Sequence, residues 1–292
     1  MIGSEVRDAA DRSPEPGSDP SAVLSLIHAI EALPPSSTGA LVFGPPSKPL
    51  GSILLEDGMV CWAGAEPMGR RLGAILRERL DPGANANDLD AAIRRSRAEA
   101  IPLGEALVTA GLFSKDALRG AFRQHTVEAL VALAQLGGDP PAWVSRKQRF
   151  EAQFKFSSVE LLASAAAAWA PAVAEEARAE METMLRHGGF GVAFAQAEGS
   201  AGLVPIGEVQ GAKLTLREAV SLGAWGLRAV RENAMVRGGV PRLVAATSAQ
   251  GDALVAWLTG GVIYVVICPS PSSLAHVLGK RARAPSDERS GS

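Results

Sequence analysis

Residues 253–268 read ALVAWLTGGVIYVVIC, and this stretch decides the fold of the C-terminal half of the chain. Two apolar runs, Ala253–Leu258 and Gly261–Cys268, are joined at Gly260-Gly261, which predicts an antiparallel pair of strands with a tight turn. The second run is apolar on both of its faces, so we expect it to be a central strand, buried on both sides of a sheet.

Further elements extend this pair into a module that spans residues 171–283. A helix that begins at Pro171 ends at His187-Gly188-Gly189, and a capping box of Thr215 and Glu218 opens a central helix. The other predicted elements are strands at Phe190–Ala197, Leu203–Glu208 and Arg242–Thr247 and a helix from about Pro271 to Arg281. The predicted order is therefore α-β-β-α-β-β-β-α.

A five-stranded antiparallel sheet split by a central helix, with helices at both ends, is similar to the roadblock family. The resemblance implies homodimerisation or docking to a small GTPase, without catalysis by the module itself. At 100° per residue, one face of the central helix packs on the sheet and Trp225 points nearly opposite, so that it either anchors a contact or is shielded by another helix. The predicted sheet-facing residues are Leu216, Val220, Gly223, Leu227, Val230 and Ala234. The predicted dimer or partner interface consists of Leu222, Trp225, Ala229 and Glu232.

The N-terminal module is predicted to span residues 21–170 and to contain a small antiparallel sheet. Asp57-Gly58 is a strong signal for a type I′ hairpin turn. Strands are predicted at Ala40–Phe43, Ser52–Glu56, Met59–Ala63 and, from an alternation of apolar residues, Arg149–Phe156. A capping box of Ser157 and Glu160 opens a helix to about Trp169, which we expect to cover this sheet.

This order of elements, with Thr38–Leu41, Gly51–Ala63 and the helix at Ser157–Leu162 as its main features, resembles the PATAN domain of bacterial signalling proteins. The resemblance implies a bacterial regulatory protein that acts through protein contacts, with no catalytic residues. The chain departs from that domain by a helical insertion at residues 81–136.

One internal repeat is present: Arg71–Leu76 recurs 31 residues later as Pro102–Leu107. The second copy resembles a repeat of the N-terminal domain of type II secretion ATPases, which in that family can bind cyclic di-GMP. A glycine lets backbone amides approach a phosphate at a helix start, while an arginine supplies charge. The candidate nucleotide-binding residues are Arg71, Gly73, Gly104 and Gly111. Pro102 stands where the second arginine would be, which argues against nucleotide binding. The alternative is that the same residues form a packed helical hairpin.

Composition narrows the range of functions. The net charge of −2 leaves no excess of cations for a nucleic-acid backbone, and no apolar run is long enough for a membrane span.

The two cysteines, Cys61 and Cys268, lie in strand-like runs and are expected to be buried thiols. Residues 1–20 and 284–292 are predicted to be disordered tails, and the former lacks the features of a signal peptide.

The sequence therefore predicts an α+β protein of two modules, cytoplasmic, without a cofactor. It contains no phosphate-binding loop, nucleophile elbow or cluster of metal ligands, so we do not expect an enzyme. The predicted function is a signalling adaptor whose partner is a second copy of itself or a small GTPase. The alternative is a receptor for a cyclic dinucleotide.

Overall fold

The computed structural model describes residues 20–66, 68–80, 83–136, 140–196, 202–210, 214–237, 243–248 and 251–283. The predicted tails lie outside these ranges, apart from Pro20. The chain divides into two units, residues 1–156 and 157–292, and each has its own antiparallel sheet. The predicted α+β class is confirmed.

The first unit combines helices with a four-stranded sheet. Its elements in the described residues are α1 (Pro20–Glu31), β1 (Gly39–Phe43), β2 (Gly51–Glu56), β3 (Met59–Ala65), α2 (Leu72–Glu78), α3 (Ala86–Ala98), α4 (Leu103–Thr109), α5 (Lys115–Ala134) and β4 (Ala142–Ser145). The strands are in the order β3-β2-β1-β4, and every neighbouring pair is antiparallel. The first three strands closely match the prediction, and β4 is additional to it.

The hairpin between β2 and β3 has the predicted type I′ turn. φ is +55° at Asp57 and +76° at Gly58, and a two-residue turn with both angles positive suits the twist of the flanking strands. The Gly58 amide donates to the carbonyl oxygen of Ser37 at 2.9 Å. A Cβ atom on Gly58 would lie 2.2 Å from the carbonyl oxygen of Pro35, so the turn has room for glycine alone.

Helix α5 belongs to the core of this unit, although the sequence assigns it to the insertion at residues 81–136. It packs along β3, and α1 packs on α5. Leu133 of α5 reaches β2, where a Cβ atom on Gly51 would lie 2.6 Å from its Cδ2 atom. Ile53 of β2 and Ala63 of β3 are fully buried. The helical segment is therefore needed to cover the sheet.

The two sequence repeats form four helices that pack reciprocally. Helix α2 packs on α5, and α3 packs on α4, so the first helix of each repeat contacts the second helix of the other. Polar contacts join α2 to α5, because Arg79 donates to Gln124 Oε1 at 2.7 and 3.0 Å. Arg70, just before α2, also pairs with Glu128 of α5. Each repeat therefore depends on the other for its packing.

The strand predicted at Arg149–Phe156 is wrong. Phe156 forms only an isolated antiparallel bridge with Val60, and β4 is the strand that pairs with the outer side of β1. Phe154 and Phe156 are nevertheless buried. The alternation of apolar residues therefore predicts their burial correctly and the strand incorrectly.

Two local features prevent this segment from pairing as a strand. Glu151 has φ +54°, a left-handed conformation that interrupts an extended backbone. The Ala152 amide donates to the carboxylate of Glu56 at 3.4 Å, so it does not take part in a strand ladder. Contacts of the Glu56 and Lys155 side chains, together with the backbone bridge between Phe156 and Val60, hold the segment on the β2–β3 hairpin instead.

The second unit contains a five-stranded sheet. Its elements in the described residues are α6 (Ser158–Trp169), α7 (Pro171–Met184), β5 (Phe190–Gln196), β6 (Leu203–Val209), α8 (Leu216–Arg237), β7 (Val244–Thr247), β8 (Ala253–Thr259), β9 (Val262–Cys268) and α9 (Pro271–Arg283). The strand order is β6-β5-β9-β8-β7, antiparallel throughout. From α7 onward the predicted order is confirmed, and β9 is a central strand that is buried at every position.

The two faces of this sheet have different coverings. On one face Trp257 of β8 and Tyr264 of β9 stack at 5.0 Å between ring centroids, and they share a core with Met181 of α7 and Val277 of α9. Helix α8 lies on the other face, where a Cβ atom on Gly226 would be 2.8 Å from Val265 Cγ2. Close approach of α8 to the sheet therefore depends on its glycines.

The buried stripe of α8 differs in part from the predicted one. Val220 and Leu227 are only half-buried, and the side chain of Ala234 lies outside the described residues. The buried residues of the helix are Leu216, Ala219, Gly223, Gly226 and Val230. The stripe is rotated toward Ala219 and Gly226 because small residues let the helix lie closest to the strands.

Helix α6 groups with the second unit, which differs from the predicted boundary at residue 170. It begins at the predicted capping box, in which Glu160 accepts from the Ser157 amide and Ser157 accepts from the Glu160 amide. It packs along β6 and on α7, and Ala166 joins the core of the second unit. The expectation that this helix covers the first sheet is therefore wrong.

Candidate interaction surface

The residues predicted for an interface lie together on a side of α8 that borders its buried stripe. Trp225, Leu222 and Ala229 are half-buried, and Glu232 is exposed. Their spacing of three and four residues places them on neighbouring turns of one helix face. The helix therefore presents a large aromatic side chain, flanked by apolar residues, outside the core.

Strand β7 forms one edge of the sheet next to this helix. The Ser248 amide donates to the Asp252 carbonyl oxygen at 2.8 Å, which fixes the alternation of hydrogen-bonded pairs along β7 and β8. The backbone groups of Ala245 and Thr247 therefore point away from β8, and both residues are exposed. Among the described residues no strand pairs with this outer side of β7.

The two edges of the sheet differ. Helix α6 packs along β6, whereas β7 carries no charged side chain and no proline, and its pairing with β8 has no bulge. A covering helix, charged side chains, prolines and bulges are the usual means by which proteins prevent an edge strand from pairing with another chain. The edge at β6 is covered by a helix, whereas β7 has none of the other three features. Since α8 also packs against β7, the outer face of α8 and the edge of β7 form adjoining parts of one surface.

No family model, curated protein or solved structure matches the chain. The functional assignment therefore depends on the geometry of the chain itself. Among the described residues no helix is both long enough and apolar enough to cross a bilayer.

The candidate nucleotide-binding residues are distributed over α2 and α4. Arg71 is exposed at the N-cap of α2, and Gly73 has open space around its Cα atom. Gly104 of α4 is buried, and a Cβ atom on it would lie 1.7 Å from Gln153 Oε1. The Gln153 side chain therefore occupies the space that a phosphate would need beside Gly104.

Gly111 has a structural role at the end of α4. Its φ is +69°, and its amide donates to the Val108 carbonyl oxygen at 2.9 Å. A left-handed glycine after the last helical turn is a common way to end a helix. Because α2 packs on α5 and α4 packs on α3, Arg71 belongs to a different helix pair from Gly104 and Gly111.

An ion-pair cluster around the buried carboxylate of Glu56 fixes the segment after β4 to the hairpin. Lys155 Nζ lies 2.6 Å from Glu56 Oε1 and 2.8 Å from Asp57 Oδ2, and Arg149 lies 3.0 Å from Asp57 Oδ1. Glu56 is only 3% exposed. The hydrogen bond from Lys155, with further donation from the Ala152 amide, holds the pKa of Glu56 below its ordinary value. Sequence reasoning explains Asp57 by its turn alone and misses this cluster.

Lys155→Met is expected to lower the free energy of unfolding of the first unit by about 2 kcal/mol at neutral pH, because it leaves a buried carboxylate without its cation. The pKa of Glu56 is lowered by folding, so its contribution is present above the unfolded pKa and lost as pH falls through the folded pKa. The difference between variant and wild type should therefore shrink below pH 4.5.

Urea denaturation over a pH series measures this difference. Lys48→Met is the matched control, since Lys48 is exposed and its side chain makes no ion pair among the described residues. A difference that stays constant as Glu56 is protonated would show that the pair with Lys155 is not its source.

The cysteines are buried free thiols, as predicted. Burial raises the pKa of Cys61 to about 11, and it also raises the pKa of Cys268. Neither is a thiolate at neutral pH, so neither has the reactivity of a catalytic cysteine. Among the described residues no group of three His, Cys, Asp or Glu side chains is placed to hold a metal ion.

The histidines make ring contacts that the sequence does not predict. His125 of α5 is buried and stacks on Trp62 of β3 at 4.3 Å between ring centroids. Burial lowers the pKa of His125, so it is neutral at physiological pH. His187 and His276 are also in contact at 4.3 Å, and His276 Nε2 lies 3.1 Å from the Thr183 carbonyl oxygen. These contacts attach α5 to the first sheet and α9 to the end of α7.

Proposed function

We propose that the chain is a non-catalytic signalling adaptor whose second unit associates with a second copy of itself through the outer face of α8 and the edge of β7. The observation that carries this proposal is the adjoining of two features: a half-buried Trp225 outside the core and an edge strand whose outward backbone groups are exposed and unpaired among the described residues. Both features are of the kind that association would bury.

Each feature contributes in a different way. Tryptophan is enriched among the residues that dominate binding energy, because it buries a large apolar area with little loss of side-chain entropy. An exposed edge strand supplies backbone donors and acceptors that an antiparallel copy can satisfy. Across a twofold axis, one surface of this kind is complementary to itself.

The resemblance to the roadblock family supports the same proposal. The resemblance is based on a five-stranded antiparallel sheet that is split by a central helix and has helices at both ends, and the second unit has this order of elements. A dimer formed through β7 and α8 would present two identical first units. Docking to a small GTPase is the second kind of contact that the resemblance implies.

Trp225→Ala in the full chain is expected to convert a dimer to a monomer at micromolar concentration. Truncation of a central aromatic residue raises the dissociation constant by roughly 100-fold. Light scattering after size-exclusion chromatography measures the mass over a range of concentrations. Ala245→Pro should act in the same direction, because it removes an outward backbone donor from β7.

Val173→Ala is the matched control, since Val173 is an exposed apolar residue on α7, which packs on the other face of the sheet. It should leave the mass unchanged. A wild-type chain that stays monomeric at high concentration, or a dimer that Trp225→Ala leaves intact, would refute this interface.

The cyclic-dinucleotide receptor ranks second. Its one favourable observation is Arg71, which is exposed at the start of α2 and has space beside Gly73. The side chain of Gln153 beside Gly104 and the position of Pro102 both count against a second phosphate contact. We therefore place the function of the chain in protein contacts.

A further inference from the structure

The first unit has an unpaired sheet edge of its own, at β4. The Arg146 amide donates to the Thr38 carbonyl oxygen at 2.8 Å, which makes Thr38/Arg146, Ala40/Val144 and Val42/Ala142 the hydrogen-bonded pairs of the β1–β4 ladder. The backbone groups of the residues between them, Trp143 and Ser145, therefore point away from β1. No strand of the described residues takes them up.

Three of the four side chains of β4, those of Ala142, Trp143 and Val144, are apolar. Val144 is 55% exposed, which makes it the most exposed large apolar residue among those described. The register of the strands places it on a sheet face that carries no charged group. The residues of that face are Ala142, Val144, Ala40, Val42, Ser52, Leu54, Trp62 and Gly64.

A basic run follows the edge directly. Residues 146–149 read RKQR, and Arg149 is already paired with Asp57. The Arg146 guanidinium lies over the ring of Phe150 at 4.9 Å. Neither Arg146 nor Lys147 has a carboxylate partner among the described residues, and both are exposed. The apolar edge therefore ends at two cations that are available to an incoming acidic group.

We propose that β4 binds an extended segment of a partner protein, which adds to the sheet as a fifth strand and carries acidic residues opposite Arg146 and Lys147. Main-chain hydrogen bonds between the partner segment and Trp143 and Ser145 supply affinity. The partner's side chain that packs beside Val144 and its acidic residues opposite Arg146 and Lys147 supply specificity. This surface belongs to the first unit and does not depend on dimerisation through β7.

A second copy of β4 is a poorer occupant. In an antiparallel self-pairing, Pro140 and Pro141 of one copy would lie opposite the basic end of the other. Proline has no amide hydrogen, so the shared ladder would be limited to the few residues of β4.

The test measures binding of a short fluorescent peptide to the full chain by anisotropy. In the peptide, valine and threonine alternate and two aspartates stand at one end. We expect the peptide to bind, and we expect no binding when its alternate backbone nitrogens are methylated. Replacing the aspartates by lysines should weaken binding by at least about tenfold, since each favourable charge pair is replaced by a repulsive one.

Two variants of the chain test the site itself. Ser145→Pro removes an outward donor and should abolish binding. Lys147→Glu changes only an exposed side chain and should weaken binding by about tenfold, while Lys280→Glu in the second unit should have no effect. Equal binding of the methylated peptide, no binding by the wild type, or no effect of Lys147→Glu would overturn the proposal. A loss of mass in light scattering on Ser145→Pro, with Trp225→Ala silent, would identify a second copy as the occupant and would also overturn it.

Discussion

Trp257→Ala is expected to lower the free energy of unfolding of the second unit by about 4 kcal/mol, since truncation of a buried tryptophan costs roughly 3–5 kcal/mol. Trp257 of β8 is fully buried. Its ring stacks on Tyr264 with planes 2° apart, and the guanidinium of Arg281 lies 5.4 Å from its centroid. The variant would leave a cavity between β8, β9 and α9, beside Tyr264 and Arg281.

Trp257→Phe is the matched control. It keeps an aromatic ring against Tyr264, and the indole nitrogen of Trp257 has no hydrogen-bond partner to lose, so the expected cost is less than half that of alanine. Chemical denaturation, with hydrogen exchange of the β8 and β9 amides, measures both variants unit by unit. Equal costs for phenylalanine and alanine would show that ring stacking contributes little.

Gly58→Ala is expected to lower the free energy of unfolding of the first unit by about 3 kcal/mol, through backbone strain at positive φ and a steric clash. φ at Gly58 is +76°, and a Cβ atom would lie 2.2 Å from the backbone oxygen of Pro35. Backbone has to move to relieve that contact. The hydrogen bond from Gly58 to Ser37 would then be lost as well.

Gly73→Ala provides the control in the same unit. Gly73 lies in the first turn of α2, and no neighbouring atom lies within 4 Å of the position that an alanine Cβ would take, so alanine should stabilise the helix by up to about 1 kcal/mol. Thermal denaturation of both variants distinguishes strain from a general intolerance of alanine. A Gly58→Ala protein as stable as the wild type would show that the turn relaxes without cost.

The elements that the sequence predicts well are those with strong local signals. Asp57-Gly58 specifies a type I′ turn by itself, because both positions favour positive φ. The strands of the second unit are separated by glycine-rich turns, and β9 is apolar on both faces, which identifies a central strand before any pairing is known. Capping boxes at Ser157 and Thr215 locate the starts of α6 and α8.

The errors come from contacts that are distant in sequence. Residues 149–156 alternate like a strand, but the carboxylate of Glu56 takes the Ala152 amide across 96 positions of chain. The placement of α6 on β6, and not on the first sheet, is likewise a tertiary choice. On α8 the predicted sheet-facing stripe includes Gly223 but omits Gly226, where a Cβ atom would lie 2.8 Å from Val265 Cγ2.

Of the candidate surfaces, one feature is predictable from the sequence and the others are not. The outward position of Trp225 follows from helical periodicity alone. The unpaired edges of β4 and β7 do not, since the order of strands in a sheet depends on which segments meet after long connections. Which residues of an edge strand direct their amide and carbonyl groups outward is also not predictable from the sequence. On β7 it follows from a single hydrogen bond, the one from the Ser248 amide to the Asp252 carbonyl oxygen.

The position of β9 also has a consequence for synthesis of the chain. β9 lies between β5 and β8, and Gly191 pairs with Val266, so the two outer parts of the sheet have no shared neighbour until the last strand leaves the ribosome. At a synthesis rate of about 5–20 residues per second, several seconds pass between the synthesis of β5 and that of β9. During this interval the β5–β6 hairpin exposes the edge that β9 later covers. The second unit is therefore completed only after translation of its final strand, while the first unit, already synthesised, can be folded.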